Sequence, residues 1–65
     1  MERSRELELI IPGLRKVAGA RMASLENAID RRSSADNKRE AAEAALRSLE
    51  ELRAAGEEYV RELGK

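Results

Sequence analysis

Apolar residues recur at alternating intervals of three and four along both halves of this chain, and that spacing dominates what it can fold into. In the second half the series runs Ala42, Ala45, Leu49, Leu52, Gly56, Tyr59, Leu63. Alternation of three and four keeps one side of an α-helix apolar over many turns, as a coiled-coil seam requires. Leu46, Ala41, Ala55 and Val60 widen the seam into the broader stripe of a bundle helix. Ala, Glu, Leu and Arg, all good helix formers, fill most of the remaining positions. Glu43 with Arg47 and Glu57 with Arg61 are spaced for i,i+4 ion pairs in the favoured order. Ser33-Ser34-Ala35-Asp36 matches a capping box, and Gly64 suits a left-handed residue after a last turn. The spacing predicts a helix over about 35–63.

The first half carries a similar stripe through a sequence that normally breaks helices. Leu7, Ile11, Leu14, Ala18, Arg21, Leu25 and Ala28 keep the same alternation, with Ile10, Val17 and Ile29 flanking them. Pro12-Gly13 lies inside that run without shifting its phase. A turn that launched a new helix in a new direction would have no reason to preserve the phase. The expectation is therefore one helix over about 3–32, kinked near residue 12, because an internal proline removes a backbone hydrogen bond and crowds the preceding turn. Two alternatives stay open: two separate helices, and a short N-terminal strand from the partial alternation of Glu6 to Ile11. Arg21 interrupts the seam and is expected to pair with an acidic residue of the other helix, such as Glu50, or to fix register. Met22 lies off the stripe.

Both helices would be roughly 45 Å long at 1.5 Å per residue. The polar link at 32–34 has the length that joins antiparallel neighbours. The fold class is all-α: a helical hairpin of two long antiparallel helices forming a single domain, with a three-helix bundle as the alternative. Alanines near the turn (Ala18, Ala20, Ala23, Ala28, Ala41, Ala42, Ala44, Ala45) would let the axes approach there. The far end is bulkier, with Leu7, Ile10, Ile11 and Leu14 near Tyr59, Val60 and Leu63.

A chain of 65 residues is marginal on its own, and the absence of cysteine removes disulfides as a support. With no histidine either, a structural zinc site has no suitable ligands. Oligomerisation and regular helix packing remain. A lone hairpin would leave part of these stripes exposed, and contiguous exposed apolar surface marks a partner site. The expected assembly is a homodimeric four-helix bundle, or a hairpin docked on a partner's helices. The predicted core and interface residues are Leu7, Ile10, Ile11, Leu14, Val17, Leu25, Ile29, Leu46, Leu49, Leu52, Tyr59, Val60 and Leu63, with the Tyr59 ring in the core and its hydroxyl at the rim.

Charge is balanced at 13 basic and 13 acidic residues, but unevenly distributed. Residues 1–39 carry nine basic and six acidic side chains, and residues 40–65 carry four and seven, which favours pairing of the two halves. Arg31, Arg32, Lys38 and Arg39 cluster around the turn and form the one candidate nucleic-acid contact. They are diluted by Asp30 and Asp36 and have no neighbouring aromatic residue for base stacking.

Nothing in the sequence supplies catalytic chemistry. The five serines have no histidine to activate them. Glu50-Glu51 and Glu57-Glu58 read as a solvated helix face, and a di-metal carboxylate bundle would need histidines that are absent. The glycines are scattered and form no phosphate loop. No enzyme activity, cofactor, metal or small-molecule substrate is expected. No apolar run approaches the roughly 20 residues needed to cross a bilayer, and no signal-like stretch follows Met1 to Glu6, so no membrane role and a cytoplasmic location are expected.

In layout alone the chain resembles the plasmid-encoded Rop-type hairpins, which dimerise into four-helix bundles and bind RNA. No motif accompanies that likeness, and architecture does not carry function. The Ala/Glu/Leu/Arg-rich second helix also looks like a de novo design or a high-GC bacterial or phage protein, although Ile11-Pro12-Gly13 and Met22 are not idealised choices.

Overall fold

The computed structural model describes residues 2–65, and these form two helices packed against each other, α1 (Arg3–Asp30) and α2 (Ala35–Leu63). Neither a strand nor a third helix occurs among the described residues, so the three-helix and strand alternatives do not apply. The molecule is a rod of 47 × 14 × 13 Å.

Helix α1 runs without interruption through Pro12. Proline leaves the Glu8 carbonyl without its usual donor. Pro12 is exposed, so this defect lies on the outside of the rod, where water can satisfy the carbonyl, rather than in the interhelical seam.

The first helix ends at Asp30, two residues short of the expected bound near 32, and its stop signal is one the composition conceals. Arg32 takes a left-handed conformation, φ 54°, the one positive φ among the described residues. Its N–H donates to the Ile29 carbonyl at 3.1 Å, and the Ser33 N–H donates to the Ala28 carbonyl at 3.0 Å. This pair of bonds is a Schellman motif, in which the left-handed position is usually glycine because a Cβ is strained there. Gly64, expected in that conformation at the end of α2, instead has φ −78° and continues the helical turn.

Helix α2 starts at Ser34 as N-cap, whose hydroxyl oxygen accepts the Asn37 N–H at 3.2 Å. The residue three positions after the cap is therefore Asn37 and not Asp36, so the expected reciprocal box reduces to a single cap bond.

The seam is lined largely by small side chains. Leu7 is its one large, fully buried residue, at 1% exposure, and Ala18, Ala45, Ser48 and Ala55 are the other buried positions. Ile11, Leu14, Leu25, Ala28, Ala41, Leu52 and Tyr59 are half-buried around them. Small facing residues bring the axes together, but they remove little apolar area from water.

Candidate interaction surface

The structure divides the predicted core and interface residues into two groups. Leu7, Ile11, Leu14, Leu25, Leu52 and Tyr59 lie in or beside the seam. Ile10, Val17, Ile29, Leu46, Leu49, Val60 and Leu63 are exposed, with Leu46 at 61%, Val60 at 69% and Leu63 at 62%. Helix α2 explains the split. Its fully buried positions are Ala45, Ser48 and Ala55, whereas its apolar stripe follows Ala42, Ala45, Leu49, Leu52, Gly56, Tyr59 and Leu63. Of that stripe Ala45 alone is fully buried, Ala42, Leu52, Gly56 and Tyr59 are half-buried, and Leu49 and Leu63 are exposed. The helix therefore meets α1 with one edge of its stripe and leaves the larger side chains beside the seam.

Two grooves flank the seam on opposite sides of the rod. One is lined by Pro12, Arg15, Lys16, Ala18, Gly19, Met22, Leu49 and Leu52. The other is lined by Arg21, Ser24, Asn37, Glu40, Ala41, Ala44 and Arg47 and is of mixed character, with three charged side chains at its walls. Heptad spacing places further residues on each side. Ile29 is one heptad beyond Met22, and Leu63 is two heptads beyond Leu49. Leu46 and Val60, themselves two heptads apart, stand three residues before Leu49 and Leu63. The first groove thus continues into apolar positions on this face, Met22 and Ile29 on α1 and Leu46, Leu49, Val60 and Leu63 on α2, interrupted by Arg15, Lys16 and Arg53. Ile10 and Val17 precede Ser24 at heptad intervals and belong to the second face.

Polar contacts close the open end of the hairpin. Arg3 Nε donates to Glu58 Oε2 at 2.6 Å and Nη2 to Glu58 Oε1 at 3.1 Å, while Glu6 lies 3.7 Å from the same guanidinium. The hydrogen bond from Arg3 holds the Glu58 carboxyl below its ordinary value and raises the guanidinium above its own. The Tyr59 hydroxyl donates to Glu8 Oε2 at 2.8 Å, which places its ring in the seam and its oxygen at the edge. That bond raises the Tyr59 pKa, because ionisation would lose the donor and set a phenolate against a carboxylate.

Several expected pairings take other partners. Glu57 pairs with Arg53 at 3.0 Å instead of Arg61, and Glu50 lies 4.0 Å from Arg53 instead of meeting Arg21. Arg21 points into the second groove, is exposed, and forms no ion pair among the described residues; from its seam position the long side chain reaches solvent. Glu43 and Arg47 form no ion pair among the described residues either.

At the turn, Arg31 and Arg32 are exposed, Lys38 is half-buried, and Arg39 lies 3.9 Å from Asp36. No group of three or more acidic or metal-ligating side chains that could hold a metal occurs among the described residues. No helix there is long and apolar enough to cross a membrane. The sequence matches no protein-family model, no curated protein and no solved structure, so the functional reading rests on the hairpin's own surface.

Proposed function

We propose that this chain is a non-enzymatic interaction module that docks on other helices, by self-association into a dimeric four-helix bundle or by binding a partner's helices. The observation that carries this reading is the inversion of side-chain size between seam and surface. On α2 the fully buried positions are the small Ala45, Ser48 and Ala55, while Leu46, Leu49, Val60 and Leu63 remain exposed. A two-helix unit with that distribution buries too little to be a self-sufficient fold, and its exposed stripe has the width a bundle core needs. Light scattering and thermal melting at tens of micromolar test the reading. The expected result is an assembly, or a chain of low helicity that folds when a partner helix is supplied. A monomer that melts in one sharp, concentration-independent transition would reject it.

The second reading is a small nucleic-acid-binding hairpin that uses the turn. It is favoured by Arg31 and Arg32, which are exposed at one end of the rod and unpaired among the described residues. The acidic flank of α2 opposes it, since Glu50, Glu51 and Glu57 are exposed and would repel a phosphate backbone running along the hairpin.

A further inference from the structure

We infer that the face carrying Met22, Ile29, Leu46, Leu49, Val60 and Leu63 is covered by a second copy of this chain. This rests on the docking reading above and names both the occupant and the side of the rod it takes. Three observations point to it.

The first is area. The hairpin exposes 5197 Å², whereas a compact monomer of its 7.3 kDa mass exposes about 4,200 Å². The difference, about 1,000 Å², is slightly more than the roughly 800 Å² that each partner contributes to a standard stable interface. A rod of 47 × 14 × 13 Å that lays one long face on its own copy becomes a four-helix bundle of ordinary proportions.

The second is glycine. Gly19 and Gly56 sit in helix interiors, where glycine weakens a helix relative to alanine. A Cβ built at either would meet nothing within 4 Å, so the hairpin itself gives neither glycine a purpose. Both lie on the face in question. Gly19 lines the first groove, and Gly56 stands one heptad from Leu49 and one from Leu63. Bare backbone in the middle of an apolar face admits close approach by another helix. Gly13 also has open space around it but does not line this groove.

The third is charge. The chain is formally neutral, so two copies meet without net repulsion, whereas a strongly charged partner would gain no attraction from it. The groove on this face carries Arg15 and Lys16, and Glu8 and Glu26 stand one heptad from Arg15 and Gly19, so a self-complementary contact can set the basic groove of one copy against the acidic positions of the other.

Sedimentation equilibrium from 1 to 100 µM, with helicity followed by circular dichroism, tests the inference on the full chain and three variants. The wild type should approach twice the monomer mass. Gly56→Glu should be monomeric and should lose helicity along with its partner, even though glutamate is the better helix former and a Cβ at this position meets nothing within the hairpin. The pair Leu46→Glu and Val60→Glu should behave likewise, and Val17→Glu, on the opposite face, should remain dimeric. A dimer that persists in Gly56→Glu, or one lost only in Val17→Glu, would overturn the inference and leave the docking reading standing. A wild type that stays monomeric also overturns it, and the docking reading falls with it only if that monomer melts sharply and independently of concentration.

Discussion

Arg3 and Glu58, 55 residues apart in sequence, are joined by two hydrogen bonds, the shorter 2.6 Å from Nε to Oε2. The fork of a guanidinium on a carboxylate fixes direction as well as distance, so it sets the register of the first turn of α1 against the last third of α2. Glu58 titrates below its ordinary value, and so it contributes stability that is present above pH 4.5 and is lost as the pH falls through its folded value. Melting curves should therefore shift downward below pH 4.5, and Glu58→Gln should flatten that part of the profile. An unchanged acid limb in the variant would show that the pair does not contribute to stability. The pair is partly exposed, so salt should weaken it.

Leu7 should be the most costly single truncation within the hairpin. It is the one large side chain fully buried among the described residues, and Leu→Ala at such a site costs about 2–5 kcal/mol, comparable to the whole stability of a small domain. Leu52→Ala, at a half-buried position, should cost less. Chemical denaturation of the two variants orders them; the reverse order would mean that Leu52 is buried by something other than α1.

Pro12→Ala should raise stability, by up to ~3 kcal/mol, and leave the assembly unchanged, because α1 already passes through this position and the variant restores a donor for the Glu8 carbonyl. A loss of stability or a new oligomeric state would mean that residues 12 and 13 act as a turn in solution.

Arg32→Gly should stabilise the hairpin by about 1 kcal/mol or less. The left-handed backbone strains a side chain by about 1–2 kcal/mol, and the extra freedom glycine has in the unfolded chain offsets part of the gain. Arg32→Val, β-branched, should destabilise. Equal melting temperatures for the three side chains would show that the link relaxes out of this conformation.

Binding to duplex DNA or structured RNA should be no tighter than roughly 10 µM at 150 mM salt, the range of non-specific association. Titrations at 50 and 200 mM salt check this. Submicromolar binding that weakens with salt and disappears in an Arg31→Ala, Arg32→Ala double variant would replace the docking reading with the nucleic-acid one.

The sequence by itself determined the elements. Alternation by three and four marked two helices, Ser34 and its neighbours marked where the second begins, and the unbroken phase from Leu7 to Leu14 favoured a first helix continuous through Pro12, which the fold bears out. These are local properties, in which hydrogen bonding along one helix and the direction of each side chain follow from nearby residues. The link at 32–34 was legible as well, but the left-handed backbone of Arg32 that makes the stop was not, because a left-handed arginine has no compositional mark, unlike glycine. Only the tertiary structure decided how far each helix is rotated about its own axis. The stripe of α2 is wider than a single seam, so periodicity could not say whether Leu49 or Ser48 would face α1. Packing chose Ser48, with Ala45 and Ala55, because small side chains bring the two backbones together. Leu46, Leu49, Val60 and Leu63, written in the sequence as core, became surface for the same reason: two helices have one mutual contact, and it cannot bury a stripe broad enough for two.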